Sequence, residues 1–201
     1  PGNGDVGTAT FSVTVTDSFN ASDAATLEIT VANVNDAPAF ASPALTGLSA
    51  TEDVLFSGNL TGTATDPDAG DALASSKISG PAWLSVAPDG TLSGTPGNSD
   101  SGTNTFTIRA TDSGALFAEA TLDIQVANVN DSPEFTLAPL TAPAAVEDSA
   151  YAASLASLVT DPDAGETLIF SKTSGPAWLA IANDGTLSGT PGNSDVGVNG
   201  F

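Results

Sequence analysis

The chain has 201 residues with no Cys, His or Met, and its 24 acids stand against only Lys77, Arg109 and Lys172, a formal net charge of −21. That charge excludes nucleic acid and anionic membrane surfaces as partners, and no apolar run approaches the roughly 20 residues a membrane-spanning helix needs. Disulfides and zinc thiolates drop out with the cysteines, while a hydrophobic content of 40% suffices for a packed core and argues against disorder.

Read from the start, PGNGDVG at 1–7 returns as PGNSDSG at 96–102 and PGNSDVG at 191–197, each 95 residues on. ANVNDAP at 32–38, TDPDAGD at 65–71 and SGPAW at 79–83 return at 127–133, 160–166 and 174–178 with the same offset. Such a period exceeds a solenoid unit and fits a self-contained domain, so the chain is a tandem array. Residues 1–36 are expected to be the C-terminal part of a preceding repeat, 37–131 a complete repeat, and 132–201 the N-terminal part of a following one. Without an initiator Met or a leader-like segment, the chain reads as an internal slice of a longer protein.

Strands are predicted wherever apolar residues alternate with polar ones. Phe11, Val13 and Val15 alternate with Ser12, Thr14 and Thr16, and Leu27, Ile29 and Val31 with Glu28 and Thr30. The complete repeat carries the counterparts Phe106, Ile108 and Ala110, then Leu122, Ile124 and Val126. Asp89–Gly90 and Asp184–Gly185 read as tight hairpin turns that need positive φ. Short strands separated by Gly, Pro, Asn and Asp, with no convincing amphipathic helix, predict an all-β fold of sandwich domains.

The acids gather at strand ends: Glu52 and Asp53, then Asp66, Asp68 and Asp71 in a Pro-Gly turn, Asp100 beside Asn98, Asp112 closing a strand, and Asn128, Asn130 and Asp131 in the exit linker. An oxygen-only donor set suits a hard cation, and Ca²⁺ more readily than Mg²⁺. Each motif alone also has a structural reading, DPDAG as a turn and Asn-Asp as a loop cap. With the net charge added, metal binding is favoured. The stretch from Asp66 is not an EF-hand, because Gly70 comes one position early and Lys77 holds the twelfth place. Nonapeptide glycine-aspartate repeats are absent too.

VANVNDAPAF at 31–40 and VANVNDSPEF at 126–135 resemble the interdomain linker of cadherins, whose pattern is DxNDNxPxF. ATDSG at 110–114 resembles the cadherin AxDxG motif, and DPD at 66–68 and 161–163 its DxD motif. PAWLSVAPDGTLSGTPGNSDSG, running into TFTIRATD, is closer still to the dystroglycan-type cadherin-like and immunoglobulin-like repeats of large bacterial surface proteins. The resemblance spans the chain and implies immunoglobulin-like sandwiches of Greek-key topology with Ca²⁺ at each junction. For the junction after the complete repeat it implies Glu52, with Asn128, Asn130, Asp131, Asp161 and Asp163. For the junction before it, Asn33, Asn35 and Asp36 would meet Asp66, Asp68 and Asp112. The DRE motif is missing, and Asn98 and Asp100 are the nearest oxygen donors there. The first linker Asp is Asn, and the second linker Asn is Ala37 or Ser132.

Trp83 and Trp178 admit two readings, a sugar platform or a core plug, and their PAWL setting favours the plug. Catalysis has little support: His and Cys are missing, and carboxylate pairs recurring in every repeat suit a structural ion better than a duplicated active site. The Asn-x-Ser/Thr triplets at Asn20, Asn59 and Asn130 read as incidental. The expected function is therefore a calcium-stiffened, non-catalytic spacer in a bacterial adhesin or other surface protein. It would be extracellular, and its partners would be the neighbouring repeats, other adhesin chains or cell-surface polysaccharide. The alternative is a carbohydrate-binding module of a secreted polysaccharide-degrading protein, with homotypic adhesion third. The half-repeats at the two ends are expected to leave open strand edges.

Overall fold

The computed structural model describes residues 1–200. It is all-β, apart from single-turn 3-10 segments, and divides into two compact units, Pro1–Asn128 and Val129–Phe201.

The first unit opens with a hairpin, β1 (Gly7–Thr16) against β2 (Ser22–Val31), in register Phe11 to Leu27 and Val13 to Ala25. After the linker come β3 (Ala39–Phe40), β4 (Ala44–Thr51), β5 (Phe56–Asn59), β6 (Ala64–Thr65), β7 (Ala74–Ser79), β8 (Leu84–Val86), β9 (Thr91–Gly94), β10 (Gly102–Thr111) and β11 (Phe117–Ala127). One sheet has the order β4-β11-β10-β7, with β4 running parallel to β11, and the other has the order β5-β9-β8, while β3 pairs with β6. The chain leaves the larger sheet after β4 and again after β7, returning to it at β7 and at β10, the Greek-key pattern of immunoglobulin-like sandwiches.

Alternation puts Phe106, Ile108, Leu122, Ile124 and Val126 on the inner face of the larger sheet, where Phe56, Leu84 and Leu92 of the smaller one meet them. Phe106, Ile108, Ile124, Leu84 and Leu92 have no exposed surface. Trp83 packs on this core edge to face with Phe56 and Phe106, at 5.8 and 5.5 Å between ring centres. Its Nε1 donates to Oδ1 of buried Asn104 at 2.9 Å, and Asn104 Nδ2 donates to the Asp100 carbonyl. A polar tip satisfied inside the domain is what a partly buried indole packed on the core requires. Gly94 is obligatory beside it: φ is +159°, and a Cβ there would lie 1.9 Å from the Trp83 carbonyl oxygen.

The second unit holds β12 (Glu134–Phe135), β13 (Tyr151–Ser154), β14 (Val159–Thr160), β15 (Leu179–Ile181) and β16 (Thr186–Gly189), with sheets β12-β14 and β13-β16-β15. Trp178 repeats the arrangement of Trp83, edge to face on Tyr151 at 5.8 Å and donating to Asn199 Oδ1 at 3.4 Å. Residues 139–146 and 169–174, the counterparts of β4 and β7, are not strands. In the first unit those strands pair with β11 and β10, and the described residues of the second unit hold no counterpart of either partner.

Candidate metal centre

The Asp-Pro-Asp turn and the loop after β10 organise the site at the first linker. In the turn, Asp68 N donates to Asp66 Oδ1 at 2.8 Å, an Asx-type bond that fixes both carboxylates. Linker residue Asp36 then donates its backbone N to Asp68 Oδ2 at 2.8 Å. After β10, Asp112 Oδ1 accepts from Leu116 N at 2.8 Å, and Ala115 takes a left-handed φ of 71°. Its other oxygen accepts from Asn35 Nδ2 at 3.0 Å. Gly114 makes room for that contact, because a Cβ would sit 2.5 Å from Asn35 Oδ1.

Asp66, Asp71 and Asp112 each place a carboxylate oxygen within 4.8 Å of the others. Asp71 Oδ1 accepts from Ala72 N at 2.8 Å and Ser113 N at 3.3 Å. The Ser113 side chain is the largest influence holding its carboxyl below the ordinary value of 3.8, with burial opposing and the two amides assisting. Asp68 and Asp112 are buried, and Asp66 Oδ2 and Asp68 Oδ1 are buried oxygens with no hydrogen-bond partner. No basic side chain compensates them: Lys77 donates to the Pro81 carbonyl, Arg109 pairs with Glu119 at 2.6 Å, and Lys172 donates to the carbonyls of Pro176 and Leu179. Buried carboxylate oxygens without a donor or a cation are costly, and a hard cation is the partner this donor set fits.

Asn3, from the PGNGD turn of the first repeat, also reaches this linker and donates Nδ2 to Asp36 Oδ2 at 2.9 Å. Asn33 is exposed on the linker, apart from these contacts. Asp100 makes a local contact: its Oδ2 accepts from Gly97 N at 3.0 Å, capping its own 3-10 turn as Asp5 and Asp195 do in theirs. Its spacing to Gly97 is that of a local cap, which explains why it stands outside the carboxylate trio.

Glu52 follows β4, donates its N to the Ala127 carbonyl at 3.0 Å, and is fully buried with both carboxylate oxygens unpartnered. Asp53 next to it takes φ 57° and donates to the Pro96 carbonyl at 2.8 Å. Asn128 is exposed at the end of the first unit. The second unit reproduces the linker geometry, with Asp131 N donating to Asp163 Oδ2 at 2.6 Å and Asp163 N to Asp161 Oδ1 at 2.9 Å. Asn130 Nδ2 donates to the Asp131 carbonyl at 3.0 Å, and Asp163 is buried. Sequence reading missed Asn3, Asn104 and the gathering of Asp71 into the trio. The recurrence of Asn98 and Asn193 opposite Asn3 was the available signal for the first.

The family model described as Putative Ig domain matches residues 37–127 and 133–201, most of the chain. The chain belongs to the Putative Ig domain family. No curated protein matches it. Among solved structures, repeats EC22-24 of mouse cadherin-23 are 22% identical with a TM-score of 0.64, over 93% of this chain and 65% of that one. The protocadherin gammaB7 EC3-6 cis-dimer structure is 22% identical with a TM-score of 0.55, over 96% of this chain and 52% of that one. An endo-fucoidan hydrolase of glycoside hydrolase family 107 is 28% identical, over 96% of this chain and 31% of that one, with a TM-score of 0.46. The chain thus spans between about a third and two thirds of the length of these structures. The cadherin likeness extends the family assignment to the fold: these Putative Ig domain repeats are cadherin-like sandwiches in tandem, and no helix among the described residues is long and apolar enough to cross a membrane.

Proposed function

We propose that the chain is a calcium-binding structural spacer of an extracellular surface protein or adhesin, non-catalytic, in which Ca²⁺ stiffens the junctions between repeats. The observation that carries this reading is the set of buried, donorless carboxylate oxygens on Glu52, Asp66 and Asp68. At the first linker the ligands are Asp66, Asp68 and Asp112, with Asn35 and Asp36 supplying further oxygens once their present hydrogen bonds are exchanged for the ion. At the second, sequence equivalence assigns Asp131, Asp161 and Asp163, with Asn128, Asn130 and Glu52. Apo linkers of this charge repel and flex, whereas a divalent ion ties linker, DPD turn and following loop into one body.

Calcium at tenfold its Kd stabilises by about 1.4 kcal/mol, and Kd values of about 10⁻⁴ to 10⁻³ M are typical of extracellular modules. Thermal unfolding of the 201-residue chain is therefore expected to shift upward in millimolar Ca²⁺ and much less in Mg²⁺. Equal shifts in Ca²⁺, Mg²⁺ and NaCl of matched ionic strength would reduce the effect to charge screening and refute the reading.

A further inference from the structure

Asp71 lies outside the linker, DPD and ATDSG motifs, yet the fold carries its carboxylate to the place where all three meet. The reversal is local: Asp71 N donates to the Asp68 carbonyl at 3.2 Å, and Gly70 permits it with φ +87°. From the other side, the Ser113 amide reaches Asp71 Oδ1. Asp71 is therefore held by its own turn and by the loop after β10, within 4.8 Å of Asp66 and Asp112. Such a trio is not by itself a site. Independent support comes from Asp68 in the same turn, 7% exposed with its Oδ1 donorless, and from the equally donorless Asp66 Oδ2.

We propose that Asp71 is a direct carboxylate ligand of the cation at the first junction, completing with Asp66 and Asp112 a trio that the motifs alone leave at two. The proposal rests on the calcium reading above. It also makes successive junctions unequal, because the counterpart of Asp71 is Glu166, one methylene longer, in an otherwise identical TDPDAG turn. Ligand charge count and site rigidity are what tune calcium affinity in oxygen-ligand sites. A shorter carboxylate clamped between two loops gives the more rigid site.

The test is calorimetric titration of the full chain with Ca²⁺, paired with melting in chelator and in saturating Ca²⁺. Asp71→Asn keeps an oxygen to accept from Ala72 and Ser113 but removes the charge. It is expected to weaken one class of sites by about tenfold or more while leaving the melting temperature in chelator unchanged or raised. Asp71→Glu should fall between the wild type and Asp71→Asn. Glu28→Gln, which removes one charge from the exposed face of β2, should change affinity less than about twofold, the small effect expected of screened surface charge. If Asp66→Asn and Asp112→Asn abolish that class while Asp71→Asn behaves like Glu28→Gln, Asp71 is no ligand and the calcium reading survives. A lower melting temperature in chelator with an unchanged calcium increment would make Asp71 only a loop tie and overturn the proposal. If none of the three substitutions alters the titration, the calcium reading itself fails.

Discussion

Replacing Trp83 by Ala removes the ring that joins Phe56 to Phe106 and takes the donor from Asn104 Oδ1. Truncating a core Trp costs about 3–5 kcal/mol, and the low end applies because this indole is only partly buried. Leaving the buried Asn104 oxygen without a donor adds about 1 kcal/mol, so the expected loss is about 4 kcal/mol. Because the chain has two units, the suitable assay is hydrogen exchange of the β10 and β11 amides, which reports the opening of the complete repeat alone. At 1.4 kcal/mol per decade, exchange should accelerate nearly a thousandfold. Trp83→Phe should lose less, since a ring remains, and Asn104→Ala in the wild type should cost about 1 kcal/mol or more. In a Trp178→Phe background, Trp83 emission should be blue-shifted and insensitive to added polysaccharide. A loss below about 1 kcal/mol with red, glycan-quenched emission would refute the core assignment and revive the carbohydrate-binding alternative.

Gly114→Ala places a methyl group on Asn35 and should displace the linker from Asp112, weakening calcium binding with little change in melting in chelator; a normal titration would show that Asn35 is not needed there. At Asp89, backbone and side-chain hydrogen bonds from Thr91 lower the carboxyl below 3.8. Its stabilising effect is thus present above that value and lost as pH falls through the lowered one, so Asp89→Asn should flatten the acid limb of the stability profile, measured by denaturation between about pH 5 and 2. The apolar faces of β1 and β2, with Phe11, Val13, Leu27 and Ile29 each about half exposed, occupy the repeat positions of Phe106, Ile108, Leu122 and Ile124 in β10 and β11, strands with no counterpart among the described residues of the second unit. Sedimentation should accordingly show association that rises with concentration and is suppressed by Phe11→Ser with Ile29→Ser; a concentration-independent monomer would count against it.

The architecture was legible because alternation and a fixed repeat offset are one-dimensional signals. Phe106, Ile108 and Ala110, and Leu122, Ile124 and Val126, point inward as their pattern requires, and the Asp-Gly turns take positive φ at Gly90 and Gly185. Residue roles were less legible wherever a side chain could serve a local bond or a distant one. Asp100 and Asp71 illustrate this, since both are acids in Gly-containing turns beside a motif. Asp100 is three residues from the amide it caps and needs nothing else from the fold. Asp71 is brought to Ser113, 42 positions away, only because β7 pairs with β10 and sets the two loops side by side. Pairing of this kind has no signature in either segment alone.

The same dependence governs the strands themselves. Residues 74–79 and 169–174 are ASSKIS and IFSKTS, and only the first is a strand. β-Propensity favours the second, with its Ile, Phe and Thr, so intrinsic preference predicts the opposite of what the structure shows. What differs is the partner: β10 pairs with the first, and no strand among the described residues pairs with the second. Burial follows the pairing: Glu52, beside β11, is fully buried, whereas its counterpart Glu147 is exposed. The burial of a strand-end carboxylate such as Glu52 therefore depends on the strand pairing of the repeat that carries it and not on the local sequence alone.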